Sequence, residues 1–351
     1  MTDRGKIDRE FFDQHIYPNL GAERADVALG PRHGVDFGVL DAGGTAVVTA
    51  TDPISILPDL GWDRAARFAL GVVLADVAVS GIPPSHLAIE FTLPPAMTDE
   101  EFAAVWTTMH DELDDLGTAV LTGHTARYHG CSFPWVGGAT VLGVGDHDDV
   151  IRPDGARPGD HLLVTHGPAV EATALFANLY PDQLRDAGTD ADLDALADRL
   201  PETGHVRDAL VAAASGPVTA MHDATECGLH GALVELAETA GVGIDFDPDA
   251  VPVGDDVRAV CAALDMDPWA STTSGTLLVA VRPEGVDDVL AALRERGTPV
   301  ADAGRITDGA GVSVDGERLD HPEEDPAWRA YAELAEAAAT DDGSDDDESR
   351  D

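Results

Sequence analysis

Sixty-six acidic side chains against twenty-one basic ones leave this 351-residue chain with a formal net charge of -45, and that excess restricts any fold it adopts. The carboxylates must be spread over a surface, because an ionised carboxylate taken into an apolar interior costs several kcal/mol unless it is paired or metal-bound. Self-repulsion on such a surface favours unfolding until salt screens it. Lys6 is the only lysine and every other basic residue is arginine, which together with the acidic excess matches a halophilic protein of a salt-rich cytoplasm. The same surface repels nucleic acid and anionic lipid, so neither nucleic acid nor a membrane is expected as a partner. A carboxylate lying where no surface should be becomes the signal to look for.

The length suffices for two domains with real cores, and 44% hydrophobic content is ordinary for a globular protein. Few aromatics, with alanine, glycine and valine supplying much of the apolar volume, suit closely packed α/β layers. Cys131, Cys227 and Cys261 show neither metal-type spacing nor a disulfide framework. The start MTDRGKIDREFF has no apolar run of signal length and no stretch approaches a membrane span. A cytoplasmic location is expected.

Along the chain, GPRHGVDFGVLD at 30–41 reads as a glycine-rich loop, and AVVTATDP at 46–53 as a strand ended by Pro53 with Asp52 at its carboxyl end. Positions 62, 66, 69, 73, 77 and 80 mark the buried face of a helix. A strand follows at 86–94, a helix at 98–116, and two more strands in AVLTGHTARY and WVGGATVLGVG. RPDGARPGDHLLVT at 152–165 is the best domain boundary. Beyond it come a helix after His166-Gly167-Pro168, a charged stretch at 181–201, a helix at 226–240, a strand at 276–281, a helix at 285–296 and a short strand at 312–315. The divisions expected are 1–150, 151–320, a C-terminal helix at 321–339 and a disordered acidic tail at 340–351.

AMHDATECGLHGAL at 220–233 places Asp223 and Glu226 beside Gly228 and Gly231 where a helix begins. Two readings stand. In one, Asp223 and Glu226 form a capping box. In the other, the glycines admit an anion to the helix N-terminus and Asp223 holds a divalent cation against it. Asp76 shares the apolar stripe of Val73 and Val77, where a carboxylate needs an explanation. With Asp36 in the glycine-rich loop, Asp52 and Asp223, it makes four candidate oxygen ligands on element ends, where ligand sites gather in α/β folds.

The succession GVDFG, TDP, ADVAVSGIPP, LTGHT, RPGDHLLVT and HDATECGLHGALVE, spread over about residues 5–315, resembles the AIR synthetase (PurM-like) superfamily, in particular its HypE-like "AIR synthase related" branch. The resemblance implies a two-domain α/β (α+β) fold, with the N-terminal domain forming a β-barrel-like homodimer core and the C-terminal domain closing an ATP cleft. It implies that Asp36, Asp52, Asp76 and Asp223 hold magnesium–ATP, that Gly123, His124 and Thr125 form a Gly-x-Thr loop near the triphosphate, and that Gly228 belongs to the loop closing on the nucleotide. On this resemblance Asp223 faces a metal.

The implied activity is ATP-dependent phosphoryl transfer that activates a carbonyl or amide oxygen of a small molecule. The alternatives are a thiamine-monophosphate-type kinase, a hydrogenase maturation factor, and an ATP-binding scaffold without turnover. The residues assign no catalytic side chain. Lys6 reads equally as a phosphate contact and as an exposed terminal lysine. Cys227 stands where relatives commonly have glycine and is expected to be a packed thiol. HypE proteins carry a terminal cysteine whereas this chain ends in Ser349-Arg350-Asp351, so the carrier chemistry of that cysteine is not expected of this tail.

Overall fold

The structure is a computed structural model that describes residue 7 and residues 9–345, with side chains up to residue 340. Lys6 and residues 346–351 of the acidic tail lie outside the described residues. Two sheets organise the chain. The first contains β1 (Val27–Leu29), β2 (Gly38–Asp41), β3 (Ala46–Ser55), β4 (Pro84–Leu93), β5 (Ala119–Arg127) and β6 (Trp135–Gly145), in the order β1-β2-β3-β6-β4-β5. Every pairing in it is antiparallel except β4 with β5, which a helix connects.

The second sheet contains β7 (His161–Thr165), β8 (Val218–Asp223), β9 (Gly243–Phe246), β10 (Leu277–Val281), β11 (Val300–Thr307), β12 (Gly311–Val314) and β13 (Glu317–Leu319), in the order β13-β12-β9-β11-β7-β10-β8. Helices of nine residues or more are α1 (Trp62–Ala78), α2 (Asp99–Leu116), α3 (Val170–Leu179), α4 (Val206–Ser215), α5 (Gly228–Ala240), α6 (Asp255–Ala263), α7 (Val286–Arg296) and α8 (Pro326–Asp345). This is the two-domain α/β arrangement expected. No helix among the described residues is long and apolar enough to cross a membrane.

Helix α1 joins the two halves. Its apolar stripe buries Phe68, Leu70, Val73, Leu74 and Val77, one side against β3 and β6 and the other against α4. The hydrophobic cluster around it therefore continues without a break from Val48 and Val141 of the first sheet to Leu163 and Val279 of the second. A separate cluster lies under α5 on the other face of the second sheet, and a third between α3, α6 and α8.

Local chemistry sets several element ends. Thr98 and Glu101 form a reciprocal capping box at the start of α2, and Gly117 ends that helix in the left-handed region. Pro53 does not end β3, which runs on to Ser55: pairing with β2 stops at Thr49 and pairing with β6 shifts register after Pro53, so a residue without an N–H is accommodated. The stretch 30–41 is a loop only as far as Phe37, because 38–41 pair as β2. The C-terminal helix begins at Pro326 rather than 321, since Asp325 accepts the Ala327 N–H and proline suits the first helical position. It continues to Asp345, taking in 340–345 of the expected tail.

A buried polar cluster fixes the segment 200–208 that leads into α4. His166, at the end of β7, meets Glu202 through Nδ1 at 3.1 Å and Asp208 through Nε2 at 3.1 Å. Asp208 also accepts from Arg296 and from Thr298. Burial opposes a charge on His166, but the hydrogen bonds to Asp208 and Glu202 outweigh it and raise its pKa above 6.5. Burial likewise opposes the Glu202 carboxylate, yet bonds from His166 and Arg199 bring its pKa down from 4.5 to about 2.

These shifts fix the sign of a pH dependence. The His166 contribution is full below about pH 6.5 and is lost as pH rises through its raised folded value. The Glu202 contribution is full above pH 4.5 and is lost as pH falls towards about 2. His166→Gln is expected to flatten the alkaline limb of stability against pH, and Glu202→Gln the acid limb. Urea denaturation across pH checks both, and unchanged limbs would refute the assignment.

Candidate functional site

The quoted stretch at 220–233 divides into the end of β8, a tight turn and the start of α5. Asp223 is the last residue of β8, paired opposite Leu277 of β10. Helix α5 begins only at Gly228, and Cys227 before it adopts φ +62 with no side-chain cap. The capping-box reading of Asp223 and Glu226 therefore fails, because the sheet extends Asp223 away from the helix start.

What gathers around Asp223 is an ionic group drawn from both halves of the chain. The His222 imidazole, 3% exposed, donates from Nδ1 to Asp36 Oδ2 at 2.7 Å and from Nε2 to Glu235 Oε2 at 2.9 Å. Burial alone would lower the pKa of this ring; the facing carboxylates of Asp36 and Glu235 outweigh it and raise the pKa well above 6.5. His222 is thus an imidazolium clamped between two carboxylates. Ligand-type atoms of Asp36, His222 and Asp223 all lie within 4.8 Å of one another. The loop carrying Asp36 is fastened to α5 a second time, where Thr239 donates its hydroxyl to the Gly34 carbonyl at 3.1 Å.

His205, immediately before α4, completes the surroundings. It is 1% exposed, its Nε2 lies 3.8 Å from Asp223 Oδ2, and neither ring nitrogen has a hydrogen-bond partner among the described residues. Burial lowers its pKa against the raising effect of the Asp223 and Asp208 carboxylates, which keeps the ring neutral. A neutral imidazole with both nitrogens unengaged beside a carboxylate is costly in a dry interior and suits a place that receives a polar group.

The donor set fits a magnesium ion. Asp36 and Asp223 offer hard carboxylate oxygens, and magnesium is ordinarily held by one or two carboxylates together with phosphate oxygens and water. His222 is not a ligand in this state, since both of its nitrogens are engaged in donating. Asp52, half-buried on β3 opposite Ala139, and Asp76, half-buried in the last turn of α1, are not members of the Asp36–His222–Asp223 group.

Other expected site residues stand differently. Gly123, His124 and Thr125 are not in a loop but on β5, exposed and paired with Ile89, Glu90 and Phe91 of β4. A Cβ at Gly123 would sit 2.6 Å from the Ile89 carbonyl oxygen, so the glycine permits close strand pairing. Gly228, at φ +60, has its open side against protein: a Cβ there would meet the Ser271 and Trp269 carbonyl oxygens at 2.6 and 2.7 Å. Its bareness serves packing in this structure.

Cys227 donates its N–H to Asp325 at 2.9 Å, and Asp325 also accepts from the Thr272 N–H and hydroxyl. Sequence reasoning passed over His222, Glu235, His205 and Asp325. Only Asp325, followed by a proline, carries a local signal, that of a helix N-cap.

A family model described as AIR synthase related protein, N-terminal domain, matches residues 34–145, and one described as its C-terminal domain matches 157–317. The chain is 33% identical over 297 residues to a selenide, water dikinase of Burkholderia pseudomallei, covering 76% of this chain and 79% of that protein. It is 30% identical over 276 residues to the carbamoyl dehydratase HypE of Azotobacter vinelandii, covering 74% and 77%. Among solved structures, Escherichia coli HypE, a hydrogenase maturation protein, aligns with a TM-score of 0.66 at 27% identity, covering 80% of this chain and 87% of that one.

The clamp of His222 between Asp36 and Glu235 predicts a large penalty for removing its centre. His222→Gln leaves the Asp36 and Glu235 carboxylates, 11% and 17% exposed, without the buried cation between them; losing one partner of a buried ion pair typically costs about 3–5 kcal/mol. The denaturation midpoint should fall accordingly at pH 7, and a midpoint equal to wild type would show that the clamp does not hold the halves together.

Proposed function

The chain belongs to the AIR synthase related family, and from that premise we propose that it is an ATP-dependent enzyme that activates a carbonyl or amide oxygen of a small molecule by phosphoryl transfer. The observation that carries this reading is the convergence of Asp36 and Asp223, one from each half, at the buried group around His222. The relatives' names add the chemistry: one is a dikinase, the other a dehydratase of a carbamoyl group. Phosphorylation joins the two, because it turns an amide oxygen into a leaving group.

In that reaction the amide oxygen attacks the γ-phosphorus of ATP, the bond to the bridging oxygen breaks, and ADP leaves. Expulsion of phosphate with loss of the amide protons then gives a nitrile. A kinase would stop at the phosphorylated product. Asp36 and Asp223 would hold a magnesium ion, which when bound neutralises phosphate charge. This chain's own contribution is positional: the His222 clamp fixes the half-buried Asp36 against the buried Asp223. Asp52, Asp76, His124 and Thr125 remain nucleotide-site assignments on the resemblance, whereas Gly228 is assigned to packing.

The reading includes a homodimer. Val120 and Leu121 on the edge strand β5, with Trp135 and Val144 on β6, are large apolar side chains between 44% and 63% exposed. An open edge beside exposed apolar side chains is a surface that proteins ordinarily cover. A second copy of the chain is the cover proposed.

Two measurements test the activity, both in molar KCl to screen the charge of -45. Calorimetry should show that Asp36→Asn and Asp223→Asn each weaken magnesium–ATP binding by at least the roughly 10–100-fold ordinary for a metal-site partner. Retained affinity in both would sink the site. Phosphorus NMR of magnesium–ATP with carboxamides and with thiamine phosphate should show released phosphate with an amide. A phosphorylated thiamine product would favour the kinase, and no turnover the scaffold.

A further inference from the structure

A crevice of about 310 Å³ opens between α1, α2 and the segment 197–207, apart from the Asp36–Asp223 group. Its walls are apolar: Phe68, Leu70 and Leu74 come from α1, and Leu200 and Val206 from the facing segment, all buried. Gly71 and Gly204 let the two sides approach, a Cβ on Gly71 standing 3.6 Å from the Gly204 Cα. Pockets of this size at the junction of two halves, apolar with a few convergent polar groups, are where small ligands ordinarily bind.

The polar groups here are guanidinium groups, in a chain where acidic residues outnumber basic ones 66 to 21. Arg64, Arg67 and Arg207 line the crevice with two carboxylates, Glu112 and Asp198. Glu112 pairs with both Arg67 and Arg207, and Arg207 reaches the exposed Asp115 at the rim. Arg64 differs. Its bond goes to a neutral partner, the Asn178 side-chain oxygen, at 2.9 Å. Asn178 is itself locked, its amide donating to the Ala174 and Ala197 carbonyls. The guanidinium is therefore held in place while no ion pair among the described residues compensates its charge.

The lining itself holds three guanidinium groups against two carboxylates, with Asp115 at the rim taken up by Arg207, and above an apolar floor Arg64 suits a monoanion with an apolar body. A planar carboxylate matches a guanidinium fork. A phosphate dianion would bring two charges against one, inside the repulsive field of a strongly acidic protein.

The position adds a consequence. The segment 200–208 that walls the crevice with Leu200, Gly204 and Arg207 carries Glu202, His205 and Asp208 on its other side. His205 stands 3.8 Å from Asp223. A ligand wedged against this segment bears on the residues beside Asp223.

We propose that this crevice is an effector site for a small monocarboxylate with an apolar body, gripped by Arg64 and sensed through the segment 200–208. The test uses the full chain and phenylacetate, with phenylacetamide as its neutral counterpart. Calorimetry should show saturable binding of phenylacetate. Loss of one charge-assisted contact, either in phenylacetamide or in Arg64→Gln, should weaken it about tenfold or more.

Amide hydrogen exchange over 200–208 should slow with phenylacetate in wild type and stay unchanged in Arg64→Gln. Arg64 is exposed, so an unaltered melting profile will show that the variant is folded. Absence of saturable binding, equal binding of the amide, or undiminished binding to Arg64→Gln would overturn the site. Binding without slower exchange over 200–208 would overturn its effector role.

Discussion

The buried imidazolium of His222 is held between one carboxylate from the first half of the chain and one from the helix that follows it, and the geometry around Asp223 depends on it. Asp36 lies in a loop of the first half and Glu235 on the helix that follows Asp223. Either carboxylate alone in that interior would be strongly disfavoured. With the ring between them, the charges satisfy one another and the loop carrying Asp36 is drawn onto the second half. The apolar continuity around α1 supplies the bulk of the attachment, but burial is non-directional and cannot choose which carboxylates face each other. The clamp makes that choice.

A second ionic knot sits behind the first. His166 with Glu202, Asp208 and Arg296 holds the start of α4, and the start of α4 carries His205 towards Asp223. The surroundings of Asp223 are thus built from two charged clusters, one on each side, each internally paired around an imidazole whose side chain is less than a tenth exposed. His205 lies between them with neither ring nitrogen satisfied. For a chain with so many carboxylates this is an economical use of histidine: an imidazole can become the cation that a buried carboxylate needs, without the long stem of lysine or arginine.

Glycine shows how far a local signal can mislead about cause. Gly228 and Gly123 both stand where backbone must come close to something, which the sequence indicates correctly. At Gly228 the neighbours are the carbonyls of Trp269 and Ser271, and at Gly123 the carbonyl of Ile89. A missing side chain announces close approach and says nothing of whether phosphate, helix or strand is what approaches.

Much of the first half was legible, because its signals are local. The stripe of α1, the helix at 98–116 and the strands β4, β5 and β6 follow from periodicity and from Ser/Thr/Gly punctuation. The short strands β1, β2, β8 and β9 were not, since three to six residues give too little period to read and their partners lie far along the chain. The sequence by itself determined the layered α/β class, the strongly acidic charge balance and the family resemblance, for these depend on composition and on motifs in order. Only the tertiary structure decided that Asp36 and Asp223 meet beside His222, and that the surroundings raise the pKa of His222 while they lower that of His205. Those outcomes are set by distances between residues up to 187 positions apart and by the burial of each ring, neither of which local spacing encodes.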